Sequence, residues 1–103
     1  MAELDLESKV NGDVATVVVR GEIDVASTPR LRELLHGLVD ADARSIVLDC
    51  RGLEFLDSSG IGLLVATRKR LGDGGELVIE SPPAHVRKVL ELTGVAEELQ
   101  LRP

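Results

Sequence analysis

The pattern of apolar and polar positions at the start of the chain predicts a β-hairpin. From Leu4 to Val10, apolar or small side chains alternate with charged ones, which is the two-residue period of a strand with one buried face. Asn11-Gly12 then offers a favoured two-residue turn, and the segment Val14–Arg20 is rich in β-branched residues. We therefore expect two antiparallel strands joined at Asn11-Gly12.

A helix is predicted after this hairpin. In Ser27-Thr28-Pro29, a hydroxyl that can cap a helix precedes a proline that suits the first helical position. The pair His36-Gly37 is typical of a helix end, where the histidine would serve as a C-terminal cap. Leucines lie at helical spacing and mark one apolar face: Leu31, Leu34, Leu35 and Leu38.

The rest of the chain alternates between strands and helices. Ser45–Cys50 is a nearly continuous apolar segment, as expected for a central strand covered by helices, and Glu76–Glu80 is predicted as another strand. Helices are predicted from about Ser58 to Leu71 and from Pro82-Pro83 to Thr93-Gly94, because proline suits a first turn and glycine ends a helix.

The order of these elements is β-β-α-β-α-β-α, which predicts a single α/β domain over residues 1–103. Strands separated by one helix pair in parallel through right-handed crossovers, whereas the initial hairpin adds an antiparallel strand. We therefore expect a mixed sheet, with an N-terminal antiparallel hairpin followed by parallel strands, packed with three to four helices.

Composition excludes several classes of partner. The 103 residues carry a formal net charge of -6, which opposes attraction to nucleic acid and to anionic membranes. Phe55 is the only aromatic residue, so no stacking platform for bases is expected. The single cysteine, Cys50, ends an apolar run and predicts a buried thiol in a reducing cytoplasm. The acidic start lacks the pattern of a signal peptide.

The segment Leu53–Gly62 lies at the junction between a predicted strand and a predicted helix. Asp57 and Ser58 are both residues that can cap the helix, and an N-cap alone would explain their presence. Gly60 and Gly62 are less easily explained, because glycine within a helix costs about 1 kcal/mol relative to alanine. Their presence indicates that a bare backbone is required near Ser58.

The predicted helix after this segment has two different sides. One side carries small, partly apolar residues and is not expected to be buried in a domain of this size, which favours docking of a partner. An alternative is that Val65 and Ala66 pack against a neighbouring loop. The candidate partner-binding residues are Gly62, Val65, Ala66 and Lys69, and the opposite side carries Gly60, Ile61, Leu64, Thr67, Arg68 and Leu71.

Several segments together resemble the STAS domain of anti-sigma-factor antagonists. The Asp-Ser-Ser-Gly-Ile-Gly run beginning at Asp57 is the most specific of them. The matching segments follow in order along nearly the whole chain: Gly21–Asp24, Ile46–Asp49, Leu53–Gly62, Gly75–Leu77 and Val89–Gly94. Many relatives continue beyond the Thr-Gly pair into a further strand and a closing helix, whereas this sequence ends at Pro103.

The resemblance implies a switch controlled by phosphorylation. Ser58 is implied as the serine phosphorylated by an ATP-binding anti-sigma serine kinase, and Asp24, Asp57, Ser59 and Gly60 as the residues that flank it. The unphosphorylated form would bind this kinase and free the sigma factor, and a serine phosphatase would act on the phosphorylated form. We expect a phosphate at the helix start to meet free amide donors there.

Other functions are less compatible with the sequence. A serine hydrolase would need glycine two positions before its nucleophile, where this sequence has Leu56 or Asp57. It would also need a histidine base, and His36 and His85 are the only histidines in the sequence. Gly72–Gly75 lacks the lysine of a phosphate-binding loop, so no nucleotide cofactor is expected, and no ligand spacing predicts a metal site. The remaining alternative is a STAS scaffold subunit of a stress-sensing or lipid-transport complex.

Overall fold

The computed structural model describes residues 3–103 and contains a five-stranded sheet and three helices. The predicted order of elements is confirmed up to the third helix, and a short 3-10 helix (Val95–Glu97) and a fifth strand follow it. The strands are β1 (Leu4–Asn11), β2 (Val14–Ile23), β3 (Ser45–Leu56), β4 (Glu76–Glu80) and β5 (Gln100–Arg102), and the helices are α1 (Thr28–Asp40), α2 (Ser58–Leu71) and α3 (Ala84–Leu92).

The sheet is mixed, as predicted. Its strands lie in the spatial order β1-β2-β3-β4-β5, with β1 antiparallel to β2 and all later neighbours parallel. The hairpin turn consists of Gly12 and Asp13, one residue later than predicted, because Asn11 pairs with Val14 and Gly12 supplies a φ of +64°. A two-residue hairpin commonly places glycine at a turn position with positive φ.

All three helices contribute to one core on one face of the sheet. Alternate residues of the central strands point into this core, including Val17, Leu48 and Ile79, each at most 1% exposed. The helices supply the other half of the core: Leu31, Leu35 and Leu38 from α1, Leu63 and Leu64 from α2, and Val86 and Leu90 from α3. The sequence contains almost no aromatic side chains, and the core is accordingly aliphatic.

Two local predictions for α1 were wrong. The helix continues through Gly37 to Asp40, because Leu38 lies on the same buried face as Leu35 and extends the packing by a further turn. His36 is therefore within the helix and does not cap its end. The Ser27 side chain forms no cap hydrogen bond to the helix and donates instead to the carbonyl oxygen of Glu22, at 2.8 Å.

The far end of β3 is longer than the predicted strand and is irregular. Two register shifts between β2 and β3 bring Ile23 level with Leu56, although the pairing begins with Val14 opposite Ser45. Gly21 lies beside these shifts with a φ of +104°, where an added Cβ would lie 2.2 Å from the Glu3 carbonyl oxygen. The carboxyl ends of β2 and β3 therefore finish side by side, and this is where α1 and α2 begin.

Candidate functional site

The carboxyl ends of β2 and β3 hold the starts of α1 and α2 together. The Asp57 amide donates to the carbonyl oxygen of Ile23 at 3.1 Å, which links the residue before α2 to the end of β2. The Asp24 carbonyl oxygen accepts the Thr28 amide at 2.8 Å in the first turn of α1. Two segments distant in sequence, Asp24 to Thr28 and Asp57 to Gly60, thus lie side by side, with Ser27, Thr28 and Gly60 buried beneath the exposed residues.

Asp57 is the N-cap of α2. One carboxylate oxygen, Oδ1, accepts the Ser59 amide at 2.9 Å, the Gly60 amide at 3.2 Å and the Ser59 hydroxyl at 2.5 Å. These hydrogen bonds favour the charged form of the carboxyl, and the Ser59 hydroxyl contributes most to lowering the pKa of Asp57. The Asp57 carboxylate therefore remains ionised and fixes the first turn of the helix.

The two serines after Asp57 have different environments. The Ser59 hydroxyl is half-buried, donates to Asp57 and lies 3.1 Å from the Thr28 hydroxyl oxygen. Ser58 is exposed at the first helical position, and within residues 3–103 its hydroxyl forms no hydrogen bond. Of the two hydroxyls, only that of Ser58 is open to another protein without breaking an internal contact.

Asp24 has a structural function in the neighbouring turn. Its Oδ1 atom accepts hydrogen bonds from the amides of Ala26 at 3.0 Å and Ser27 at 2.9 Å. In the opposite direction, the Ser27 hydroxyl oxygen accepts the Asp24 amide at 2.9 Å. This network shapes the turn between β2 and α1. It also places a second carboxylate in the loop that adjoins Asp57.

The two glycines of α2 have different functions. A Cβ at Gly60 would lie 2.5 Å from Leu56 Cδ1 and 2.6 Å from Ile23 Cγ2, so glycine is required for the helix to pack on the strand ends. At Gly62 an added Cβ would meet nothing within 4 Å, and the residue is exposed. Packing explains Gly60 fully, whereas no contact among residues 3–103 explains Gly62.

The outer side of α2 is exposed along most of its length. Ser58, Gly62, Ala66 and Lys69 are all exposed and follow one another at helical spacing. Val65 is different, because it is half-buried and packs against the core; its function in partner binding stays a prediction. Its side chain lies at the boundary between this outer side and the interior.

Val25 is a residue of this region that the sequence analysis did not identify. It lies in the turn between β2 and α1 and is 76% exposed, although it is a large apolar residue. Its amide is also among the donors that lower the pKa of Asp57. An isolated valine in a loop has no periodicity, so the one available signal was an apolar residue directly after Asp24.

His36 and His85 are the two imidazole side chains that a serine hydrolase could use. His36 is half-buried in α1, where burial together with Arg70 and Arg32 lowers its pKa. The Nε2 atom of His85 lies 2.7 Å from the Glu54 carbonyl oxygen. Within residues 3–103, neither histidine hydrogen-bonds to Ser58 or Ser59, so no Ser-His pair is present there.

In the part of the chain from Glu3 onwards, no three His, Cys, Asp or Glu side chains are grouped so as to hold a metal ion. Over the same residues, no helix has both the length and the apolar character required to cross a membrane.

Known proteins are similar to this chain in sequence and in fold. The STAS domain family matches residues 5–103. The anti-sigma-B factor antagonist of Bacillus subtilis is 32% identical over 101 residues, which cover 95% of this chain and 90% of that protein. The crystal structure of an anti-sigma factor antagonist from Mycobacterium paratuberculosis has a TM-score of 0.90 and 28% identity, covering 98% of this chain and 86% of that one.

A second solved structure is also similar in fold. The anti-sigma factor antagonist SpoIIAA in its unphosphorylated form has a TM-score of 0.81 and 25% identity, covering 96% of this chain and 87% of that one. The similarity in sequence and the similarity in fold thus point to the same family. The chain belongs to the STAS-domain family of anti-sigma-factor antagonists.

Proposed function

We propose that this protein is a partner-switching regulator whose binding surface is controlled by phosphorylation of Ser58. The unphosphorylated protein binds an ATP-dependent anti-sigma serine kinase and thereby releases the sigma factor that the kinase holds. Phosphorylation of Ser58 by that kinase ends the interaction, and a serine phosphatase restores it. The observation that carries this proposal is the exposed, unbonded hydroxyl of Ser58 beside the engaged hydroxyl of Ser59.

The surroundings of Ser58 favour a local effect of the phosphate over a change of fold. The sequence suggested that a phosphate would meet free amides, but the amides of Ser59 and Gly60 already donate to Asp57, and the Ile61 amide donates to the Asp57 carbonyl oxygen. A phosphate therefore gains little from the helix start and projects towards solvent. Its charge of about -1.5 to -2 is presented to the partner.

The proposed binding surface comprises Ser58 and the exposed residues around it. Val25 supplies an apolar contact beside Asp24, while Gly62 and Ala66 allow a partner to approach the helix backbone closely. Lys69 provides a positive charge further along the same side. Because a hydroxyl at Ser58 would be enclosed by such a contact, a phosphate there would add both bulk and an uncompensated negative charge.

Mapping of the phosphorylation site tests the first part of the proposal. The wild-type protein, Ser58→Ala and Ser59→Ala are incubated with the anti-sigma serine kinase of the same organism and Mg-ATP, and phosphate is located by mass spectrometry. We expect phosphate on Ser58 in the wild-type protein and in Ser59→Ala, and none in Ser58→Ala. Phosphorylation of Ser58→Ala at Ser59 to the wild-type extent would refute the assignment.

Affinity for the kinase tests the second part. We expect Ser58→Ala to bind as the wild-type protein does, and Ser58→Asp to bind about a hundredfold more weakly, because like charges at an interface cost several kcal/mol. Gln100→Glu is the control, since it adds one negative charge at an exposed position on β5. Equal affinities for Ser58→Asp and Ser58→Ala would contradict a local block.

A pull-down distinguishes this function from a scaffold. With wild-type protein as bait, an antagonist captures one small ATP-binding kinase, and Ser58→Asp loses it. A scaffold subunit would retain a large complex with either bait. Retention of the same large assembly by both forms would therefore argue against partner switching.

A further inference from the structure

Strand β1 forms one edge of the sheet. The outward carbonyl oxygen of Leu4 accepts from the Arg30 guanidinium at 2.6 Å, whereas the outward backbone groups from Leu6 to Val10 have no hydrogen-bond partner among residues 3–103. Strand β1 pairs with β2 along its whole length, and no strand lies on its other side among residues 3–103. The Glu22 amide donates to the Glu3 carbonyl oxygen, and Asn11 pairs with Val14 across the two-residue turn. Odd-numbered residues of β1 therefore bond to β2, and the backbone groups of Leu6, Ser8 and Val10 point outwards.

From this edge we infer that two copies of the chain associate through β1, antiparallel and centred on Ser8. In this register Ser8 lies opposite Ser8 of the second copy, and Leu6 lies opposite Val10. All of these are residues whose amide and carbonyl groups point outwards, so each meets its hydrogen-bonding complement. The two sheets then become one continuous sheet, with the helices of both copies on the same face.

The charges of β1 select this register over its neighbours. Glu7 of one copy faces Lys9 of the other, and the two-fold symmetry repeats this pair. Moving the centre to Glu7 would place Glu7 opposite itself, and moving it to Lys9 would place Lys9 opposite itself. Opposite charges that face each other across strands are stabilising and like charges are destabilising, so the register about Ser8 is favoured over both adjacent registers.

The helix-facing side of β1 also favours this pairing. Val10 is 58% exposed, and Leu6 is half-buried at a shallow groove that it shares with Leu34 and Leu38 of α1. In the paired form, Val10 of the second copy lies next to Leu6 and covers this apolar groove. The interface would thus combine backbone hydrogen bonds, two ion pairs and apolar contacts, on a different surface from the start of α2.

Sedimentation equilibrium of the full chain from about 1 μM to about 1 mM tests the inference. We expect the mean mass to rise with concentration from 11.0 kDa towards twice that value. Ser8→Pro removes an amide that β2 does not use, and proline is tolerated on edge strands. This variant should remain folded by circular dichroism and stay monomeric, while Ser8→Ala keeps the backbone groups and should associate as the wild-type protein does.

A charge-exchange experiment tests the register independently of the proline variant. Glu7→Lys and Lys9→Glu each make β1 carry like charges at the paired positions, so each alone should self-associate at least about tenfold more weakly. An equimolar mixture of the two should recover association, because every added charge then faces its opposite. Glu7 also forms an ion pair with Arg20 of its own chain at 3.0 Å, which Glu7→Lys removes and Lys9→Glu leaves in place. Because Glu7, Lys9 and Arg20 are all exposed, neither variant is expected to disturb the core.

The outcomes are decisive in either direction. A wild-type protein that is monomeric at about 1 mM would overturn the inference, as would association that the charge variants leave unchanged. A mixture that associates no better than its separate components would overturn the register. Recovery of association in the mixture alone would establish that Glu7 and Lys9 face each other across a β1 pair.

Discussion

At the scale of single residues, the Ser59 hydroxyl takes part in the folded structure and the Ser58 hydroxyl does not. Ser59 donates to the Asp57 carboxylate, whereas Ser58 is exposed at the start of α2. We expect Ser59→Ala to lower the free energy of unfolding by about 1 kcal/mol, and Ser58→Ala to change it by less than about 0.5 kcal/mol. Urea unfolding of both variants measures the difference, and equal losses would mean that Ser58 also supports the fold.

The same contact predicts a pH effect on Asp57. Its pKa lies below its ordinary value of 3.8, chiefly because the Ser59 hydroxyl donates to it. A carboxyl with a lowered pKa stabilises the fold above its unfolded-state pKa, and this contribution is lost as the pH falls through the lower folded-state pKa. Asp57 thus contributes to the loss of stability below about pH 4.

Carboxyl titration by NMR checks this assignment. In Ser59→Ala we expect the pKa of Asp57 to rise towards 3.8, while Ser58→Ala serves as the control and leaves it at the wild-type value. Asp49 provides an internal reference, because its pKa is lowered mainly by the Arg51 side chain and should not respond to either variant. An unchanged Asp57 titration in Ser59→Ala would show that the backbone amides alone lower its pKa.

At the scale of elements, the two glycines of α2 predict opposite responses to alanine. Gly60→Ala forces a Cβ against Leu56 and Ile23, and overpacking of this kind costs about 1 to 3 kcal/mol. Gly62→Ala enters open space and gains up to about 1 kcal/mol of helix propensity. Urea unfolding should give shifts of opposite sign, and a stabilised Gly60→Ala would mean that the start of α2 moves freely over the strand ends.

Elements with strong local signals were predicted well from the sequence. The limits of α2 were correct because Asp57 caps its start and glycine follows Leu71, and the mixed sheet followed from the order of strands and helices. Strand β5 was not predicted, since three residues with one half-buried side chain, Leu101, carry no detectable periodicity. Helix α1 extended past its expected end because packing of Leu38 outweighed the low helix propensity of Gly37.

The sequence indicated where the candidate site lies, but not how its neighbouring residues differ in function. The polar run from Asp57 to Gly60 was visible in the sequence, but spacing alone did not separate Ser58 from Ser59, because their difference depends on which hydroxyl reaches the Asp57 carboxylate. The packing function of Gly60 was hidden for the same reason. Its neighbours Ile23 and Leu56 meet it only after β2 and β3 have paired.

At the scale of the whole molecule, a single core joins every element to β3. This strand lies at the centre of the sheet, between β2 and β4, and its inward residues contact a core to which all three helices contribute. Because small domains with one core usually unfold in one cooperative step, exposure of the middle of β3 should require loss of the whole fold. Cys50 lies in that region and is 2% exposed.

Cys50 therefore provides a test of this cooperativity. Burial, with a smaller contribution from the charge of Asp49, raises the pKa of its thiol to about 12, so the native thiol should be almost unreactive. If labelling occurs only through global unfolding, its rate rises about tenfold for each 1.4 kcal/mol of lost stability. Gly60→Ala should then accelerate labelling by the factor calculated from its loss of unfolding free energy in urea. A labelling rate insensitive to Gly60→Ala would show instead that β3 becomes accessible by local opening, with the remainder of the core intact.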